Sequence, residues 1–309
     1  MFGFFKNRRR QKLLAQPLPA AWRKIIERNV SLYARLPVPL RTRLENAARI
    51  VVAERPFVGC RGMQITDEVH VTIAAQAAVL LLGEEGYYFE RVPSVLVYPD
   101  LFVRRRTHDL AHPVEEDVEL LGESWQRGSI VLSWPAVLAG GRGSADGQNL
   151  VLHEFAHHLD SLDGEMGGTP PLPTLAAQRR WREVFDREFA RHCAAVNGGQ
   201  PTVLDPYGAT NAAEMFAVTT ECFFERPIEL RERHADLYEC FRDFYKVDPA
   251  AWSTPQAPAA DREPTADLRT EDQKHDDFDD PASADELPPL GTADAYFTRG
   301  HEYFEAGRY

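Results

Sequence analysis

The sequence predicts an α+β fold, a largely helical domain built around a few short strands. Three observations point there. Apolar residues recur at i, i+3, i+4 and i+7 through most of the chain up to Trp252, as in helices with one face in a core. Two short runs, 94–98 and 129–134, are rich in β-branched and apolar residues and are closed by Pro99 and Pro135, as strands are. Beyond Trp252 large apolar residues become scarce, so the core is expected to end there.

In order along the chain, residues 1–19 read as a basic N-terminal tail. Phe2, Phe4 and Phe5 precede Arg8-Arg9-Arg10 and no long apolar stretch follows, which excludes the pattern of a signal peptide. Trp22, Ile25, Ile26, Val30 and Leu32 predict a first helix, and Leu40 to Glu54 a second, separated by Pro37-Val38-Pro39. A third helix is expected between Gly62 and Gly83. Its apolar run from Val71 to Leu82 is broken by Gln76 and too short to span a bilayer, so no transmembrane segment is expected. After the two strands, Leu152, Phe155, Ala156 and Leu159 form the stripe of another helix, with Asp146, Gly147 and Asn149 offering a turn and a cap in front and Asp163-Gly164 a stop behind. Thr174 is placed to cap a long helix through Trp181, Val184, Phe185 and Phe189. Further helices are expected from Ala212 to Arg226 and from Leu237 to Phe244.

Composition narrows the function. The 309 residues carry a net charge of −12 with no offsetting basic face, which argues against direct nucleic-acid binding. Cys60, Cys193, Cys222 and Cys240 have no C-x-x-C spacing and read as reduced thiols of a cytoplasmic protein. Residues 253–292 hold eleven Asp or Glu against three Lys or Arg, many Pro, and few core formers, the composition of a disordered acidic linker. In 293–309 the spacing of Tyr296, Gly300, Tyr303, Gly307 and Tyr309 is that of the opening of a tetratricopeptide repeat. This half-repeat helix is too short to bury its own face. The expected organisation is thus a tail (1–19), a main domain (20–252), a linker (253–292) and the half-repeat (293–309).

The chemistry concentrates in His153-Glu154-Phe155-Ala156-His157, an H-E-x-x-H spacing. Four residues apart on a helix, His153 and His157 aim two imidazoles at one point, while Glu154 lies about 100° round the axis, suited to act as a base beside them. Asp160 falls on the histidine face, where its carboxylate is expected to take the second N–H of an imidazole. His108 and His112 share the spacing without the Glu, run into Pro113 and read as loop residues. A hydrolytic metal site needs a third ligand. Glu214, at the start of a helix capped by Thr210 or Asn211, is either that ligand or a first-turn carboxylate favoured by the helix dipole, and residue chemistry alone does not choose. Glu221, two turns on, shares its face, and Tyr207 on the preceding loop is suited to stabilise an oxyanion.

The run His153–Asp160, followed by Tyr207, Glu214 and Phe216, resembles the Mlc titration factor A family of zinc peptidases. It is similar, more distantly, to the catalytic domain of anthrax lethal factor. The likeness covers roughly residues 20–252 and includes the stretch 124–132 and Glu221-Cys222-Phe223-Phe224. It implies a zincin-like domain of the Glu-ligand (gluzincin) type, with one Zn2+ per chain on His153, His157 and Glu214. It also implies Glu154 as general base, assistance from Tyr207, and support from Asp160 and Glu221. The implied activity is aminopeptidase-type cleavage of small peptides, and the implied partner is a Mlc-like transcriptional repressor of sugar uptake. In zinc peptidases an edge strand pairs with the substrate backbone, and 129–134 is the candidate here. The rival reading is a binding protein that sequesters a repressor, although a structural zinc would have no use for Glu154.

Overall fold

The expected stripes become helices in the computed structural model, which describes residues 2–84, 86–99, 128–143 and 147–253, all within a compact unit that spans Met1–Gln256. The linker beyond Ser253, the half-repeat, and His108 and His112 lie outside the described residues. Helices α1 (Phe2–Leu14), α2 (Ala20–Asn29), α3 (Ser31–Arg35) and α4 (Val38–Glu54) lead into strand β1 (Phe57–Gly59) and helix α5 (Asp67–Val79). Strands β2 (Val95–Tyr98) and β3 (Ile130–Ser133) follow, then α6 (Trp134–Gly141), α7 (Leu150–Asp160) and α8 (Leu175–Asn197). A 3₁₀ turn at Pro206–Ala209 precedes α9 (Ala212–Glu225), α10 (Pro227–Arg233) and α11 (Ala235–Tyr245). This helix-rich α+β arrangement is the predicted fold class.

Helix α5 is the central post. Thr66 caps it, and from Val71 to Val79 every residue is buried, as expected of a helix that is apolar all round. Gln76, which interrupts its apolar run, donates from Nε2 to the carbonyl of Val137 at 3.1 Å, so its amide joins α5 to α6. Helices α2, α4, α6 and α7 all pack on α5. The sheet has the order β1-β2-β3 and is parallel throughout, with Phe57 opposite Val95 and Val95 opposite Ile130. Central strand β2 is buried at all four positions, which explains why it reads as a continuous apolar run and not an alternating one. Among the described residues β3 is an edge of this sheet, and it packs against α7. Strand β1, only three residues long, has too little pattern to be read from sequence. Helix α6 is a second surprise: Pro135 closes β3 but sits in the first turn of α6, where proline's missing N–H costs nothing. No helix among the described residues is long and apolar enough to cross a membrane.

Residues 2–14, read from the sequence as a tail, form α1 and pack on α4. The cause is Arg10. It is 8% exposed, donates to Glu54 at 2.6 Å and to Glu90 at 2.7 Å, and lies over the ring of Tyr88. A run of arginines looks like a solvated end until carboxylates from two distant segments are brought against it.

An aromatic cluster locks α8, α9 and α11 together. The ring of Phe241 lies 5.1 Å from Trp181 and 5.4 Å from Phe216, centroid to centroid, and Phe241 is fully buried. Truncating it leaves a cavity that its neighbours cannot fill. Phe241→Ala is expected to lower the unfolding free energy by about 3–5 kcal/mol. Equilibrium denaturation checks this, and a change below about 1 kcal/mol would show that the cluster does not hold α9 to α11.

Candidate metal centre

Two caps and two helix faces build the site. Asn149 is the cap of α7, its Oδ1 accepting the N–H of Leu152 at 3.1 Å. Along α7 only Leu150, Glu154 and His157 are partly exposed, a spacing of four and then three that leaves one face open. Asn211 caps α9 in the same way, accepting the N–H of Glu214 at 2.9 Å. Helices α7 and α9 pack side by side, which brings the first turn of one against the middle of the other.

The result is a tight convergence. His153 Nε2 lies 3.0 Å from His157 Nε2 and 3.0 Å from Glu214 Oε2, and His157 Nε2 lies 3.4 Å from the same oxygen. Among the described residues these three form a group that could hold a metal ion, their ligand atoms within 4.8 Å of one another. His153 is 1% exposed, while the side chains of His157 and Glu214 are 15% and 16% exposed, so the cluster opens on one side only. Burial pushes the Glu214 carboxyl up, but the two facing imidazoles, when they carry protons toward it, outweigh this and hold it well below the ordinary carboxylate range.

The outer contacts decide the donor chemistry. His153 Nδ1 faces Glu221 Oε2 at 2.9 Å, and because a carboxylate only accepts, Nδ1 carries the proton. In neutral His153, Nε2 then presents a lone pair toward His157 and the Glu214 carboxylate. Such an array needs a proton or a metal ion among its atoms. Two imidazoles and a carboxylate with an open side are the donor set of a catalytic divalent-metal site, so the residues fit such an ion.

The remaining expected residues divide. Glu221 stands behind His153, and its second oxygen also accepts the backbone N–H of Asn149 at 2.8 Å. The Tyr207 ring stands beside His153, centroids 6.3 Å apart, on the 3₁₀ turn whose N–H at Tyr207 is held by Asp205 Oδ1 at 2.8 Å. Glu154 is half-buried on the open face of α7. Asp160 is not brought to a histidine nitrogen. It is fully buried, and its Oδ2 accepts the N–H of Gly168 at 2.8 Å, while its Oδ1 and His157 Nδ1 are both buried without a hydrogen-bond partner. Burial raises the Asp160 carboxyl to about 6, with the Gly168 N–H and His157 pulling the other way. Its observed work is to tie the loop after α7 to the helix end. Sequence reading also missed Glu225, whose Oε1 accepts from Asn149 Nδ2 at 3.2 Å. The signal was present: positions 214, 221 and 225 are one acidic stripe along an otherwise apolar helix.

The model of the glucose-regulated metallo-peptidase M90 family matches residues 4–246. The chain belongs to this family. The matched span begins within α1 and contains every residue of the site, so α1 is part of the family's unit. An uncharacterized protein of Synechocystis sp., slr2042, is 39% identical over 244 residues, covering 78% of this chain and 89% of its own length. Mlc titration factor A of Yersinia pestis is 30% identical over 264 residues, covering 79% of this chain and 89% of its own length. The same figures hold for Mlc titration factor A of Yersinia pseudotuberculosis. Membership in the Mlc titration factor A family, suggested by the motifs, is therefore shown. A metallo-peptidase family implies a metal, and the donor set of the M90 site described above suits one.

Proposed function

We propose that this M90 protein is a cytoplasmic zinc-dependent peptidase of the Glu-ligand type, cleaving small peptides from a free amino terminus. The observation that carries the proposal is the convergence of His153, His157 and Glu214 beside the open face that bears Glu154. These three residues would hold one Zn2+ per chain. When bound, zinc supplies Lewis-acid chemistry, lowering the pKa of a water and polarising a carbonyl.

The protein's own groups do the rest. Glu154 accepts a proton from the attacking water, the water oxygen bonds to the carbonyl carbon, and the carbon–nitrogen bond then breaks. Glu154 returns the proton to the departing amine, so the carboxylate ends as it began. Tyr207 donates its phenol O–H toward the oxyanion. Glu221 keeps the His153 proton on Nδ1 and so leaves Nε2 free to ligate. Strand β3, an edge among the described residues and packed on α7, is suited to align an extended peptide.

A second role, binding a Mlc-like transcriptional repressor, is supported by the relatives named Mlc titration factor A. The two roles are compatible on different surfaces.

Purified protein is expected to contain about one zinc per chain and to cleave a small peptide library. Chelation is expected to abolish cleavage and added Zn2+ to restore it, with acetylated peptides resistant. Undiminished cleavage by metal-free protein would defeat the zinc reading, and equal cleavage of acetylated peptides would defeat the aminopeptidase one.

A further inference from the structure

One residue tied to the back of the site is far from it in sequence. Arg35, the last residue of α3, donates from Nη1 to the carbonyl of Glu225 at 3.1 Å and from Nη2 to the carbonyl of Phe224 at 3.1 Å. Its Nη2 also donates to Glu225 Oε2 at 3.2 Å. The guanidinium thus covers the last carbonyls of α9 and neutralises a carboxylate at the helix end where the dipole disfavours one. Glu225 is 8% exposed, and Glu221 lies one turn before it on the same helix, so the pair repels unless a cation offsets it. Burial lifts the Glu225 carboxyl to about 7, with Arg35 and Asn149 opposing and Glu221 adding to the rise.

From Glu225 the path runs through one residue. Asn149 is 1% exposed and uses all its polar atoms. Nδ2 donates to Glu225, the backbone N–H donates to Glu221, Oδ1 caps α7 at Leu152, and the carbonyl accepts the N–H of His153. Glu221 in turn accepts from His153 Nδ1. The chain Arg35, Glu225, Asn149, Glu221, His153 therefore runs without a break from the N-terminal helices to the nitrogen that sets the tautomer of His153. Gly147, two residues before Asn149, has φ +78°, a backbone conformation that favours glycine.

We infer that Arg35 is a positioning residue of the metal centre, holding His153 in its ligating orientation through Glu225, Asn149 and Glu221. This rests on the proposed Zn2+ site. Removing the cation leaves a buried carboxylate beside Glu221. Glu225 then withdraws or takes up a proton, and Asn149 loses the acceptor of its Nδ2, next to the backbone N–H that it gives to Glu221. A purely structural Arg35 would act only through the carbonyls of α9, which is a separable possibility.

Zn2+ affinity, measured by competition with a chromophoric chelator, reads the path directly, and the Co2+ visible absorption spectrum reports ligand geometry. Arg35→Met is expected to bind Zn2+ about 10–100-fold more weakly, the usual cost of losing an outer partner. Adding Glu225→Gln is expected to recover most of that loss, because the amide oxygen still accepts from Asn149 and carries no charge. Native affinity in a folded R35M, or no recovery in the double variant, would overturn the inference. Should R35M not fold, Glu225→Gln is expected to keep near-native affinity while Glu225→Leu loses at least about 10-fold, and equal affinities for these two would overturn it. Wild-type protein and Glu214→Ala run alongside. A wild type that binds no Zn2+ would remove the metal-site reading and this inference with it, whereas failure confined to the Arg35 and Glu225 variants leaves that reading standing.

Discussion

Glu154→Gln is expected to retain a full complement of zinc and to hydrolyse peptides at least about 100-fold more slowly than the native protein. The side chain lies on the open face of α7, next in sequence to His153 and outside the convergent group of three. Gln is nearly isosteric and keeps an oxygen that can accept a hydrogen bond, so neither the helix nor the three ligands should move. It cannot take a proton at neutral pH, and a positioned general base contributes about 10²–10⁴-fold in rate. The loss should fall on kcat and on kcat/KM alike, because the missing interaction exists only in the transition state. Native turnover in the Gln variant would assign the cleavage to another site. Repressor binding, if the protein has it, should survive, and its loss in a folded, zinc-loaded variant would put the partner in the cleft.

The second large effect concerns Glu214. Its carboxylate is the only negative member of the convergent group, 3.0 Å from His153 Nε2 and 3.4 Å from His157 Nε2. Glu214→Ala removes one of three donors, so the expected loss of Zn2+ affinity exceeds the roughly 10–100-fold that follows loss of an outer partner. Asn211 would still cap α9 through the backbone N–H of residue 214, so thermal stability of the metal-free protein should change little. Dialysis against a mild chelator followed by metal analysis checks this. Stoichiometric zinc in the Ala variant would show that the third ligand is misassigned. A metal-free variant that unfolds early would show instead that Glu214 works in the fold.

What could be read from sequence is what depends on neighbours within a turn or two. The helix of His153 and His157 follows from i, i+3 and i+4 geometry and the cap at Thr174 from its place before an apolar stripe, while the structure chose Asn149 and Asn211 among the capping residues on offer. The same locality made Glu214 ambiguous, since a first-turn carboxylate is stable with or without a metal, and only the packing of α9 on α7 brings it against two imidazoles. Asp160 shows the opposite failure. Its place on the histidine face was legible, yet its oxygen went to the N–H of Gly168, on a loop whose path no helical period predicts.

By itself the sequence determined the helical stripes, the strands β2 and β3, the H-E-x-x-H spacing and the family, because each is written in residue types at short fixed intervals. The tertiary structure alone decided that α1 is packed and not free, that β1 joins the sheet, and that Glu225 and Arg35 stand behind His153. The physical reason is the same in each case. A buried ion pair or a parallel strand pairing is stable only when partners far apart in the chain are brought together, 44 residues for Arg10 and Glu54 and 190 for Arg35 and Glu225, and no local pattern records which distant charge or edge will arrive.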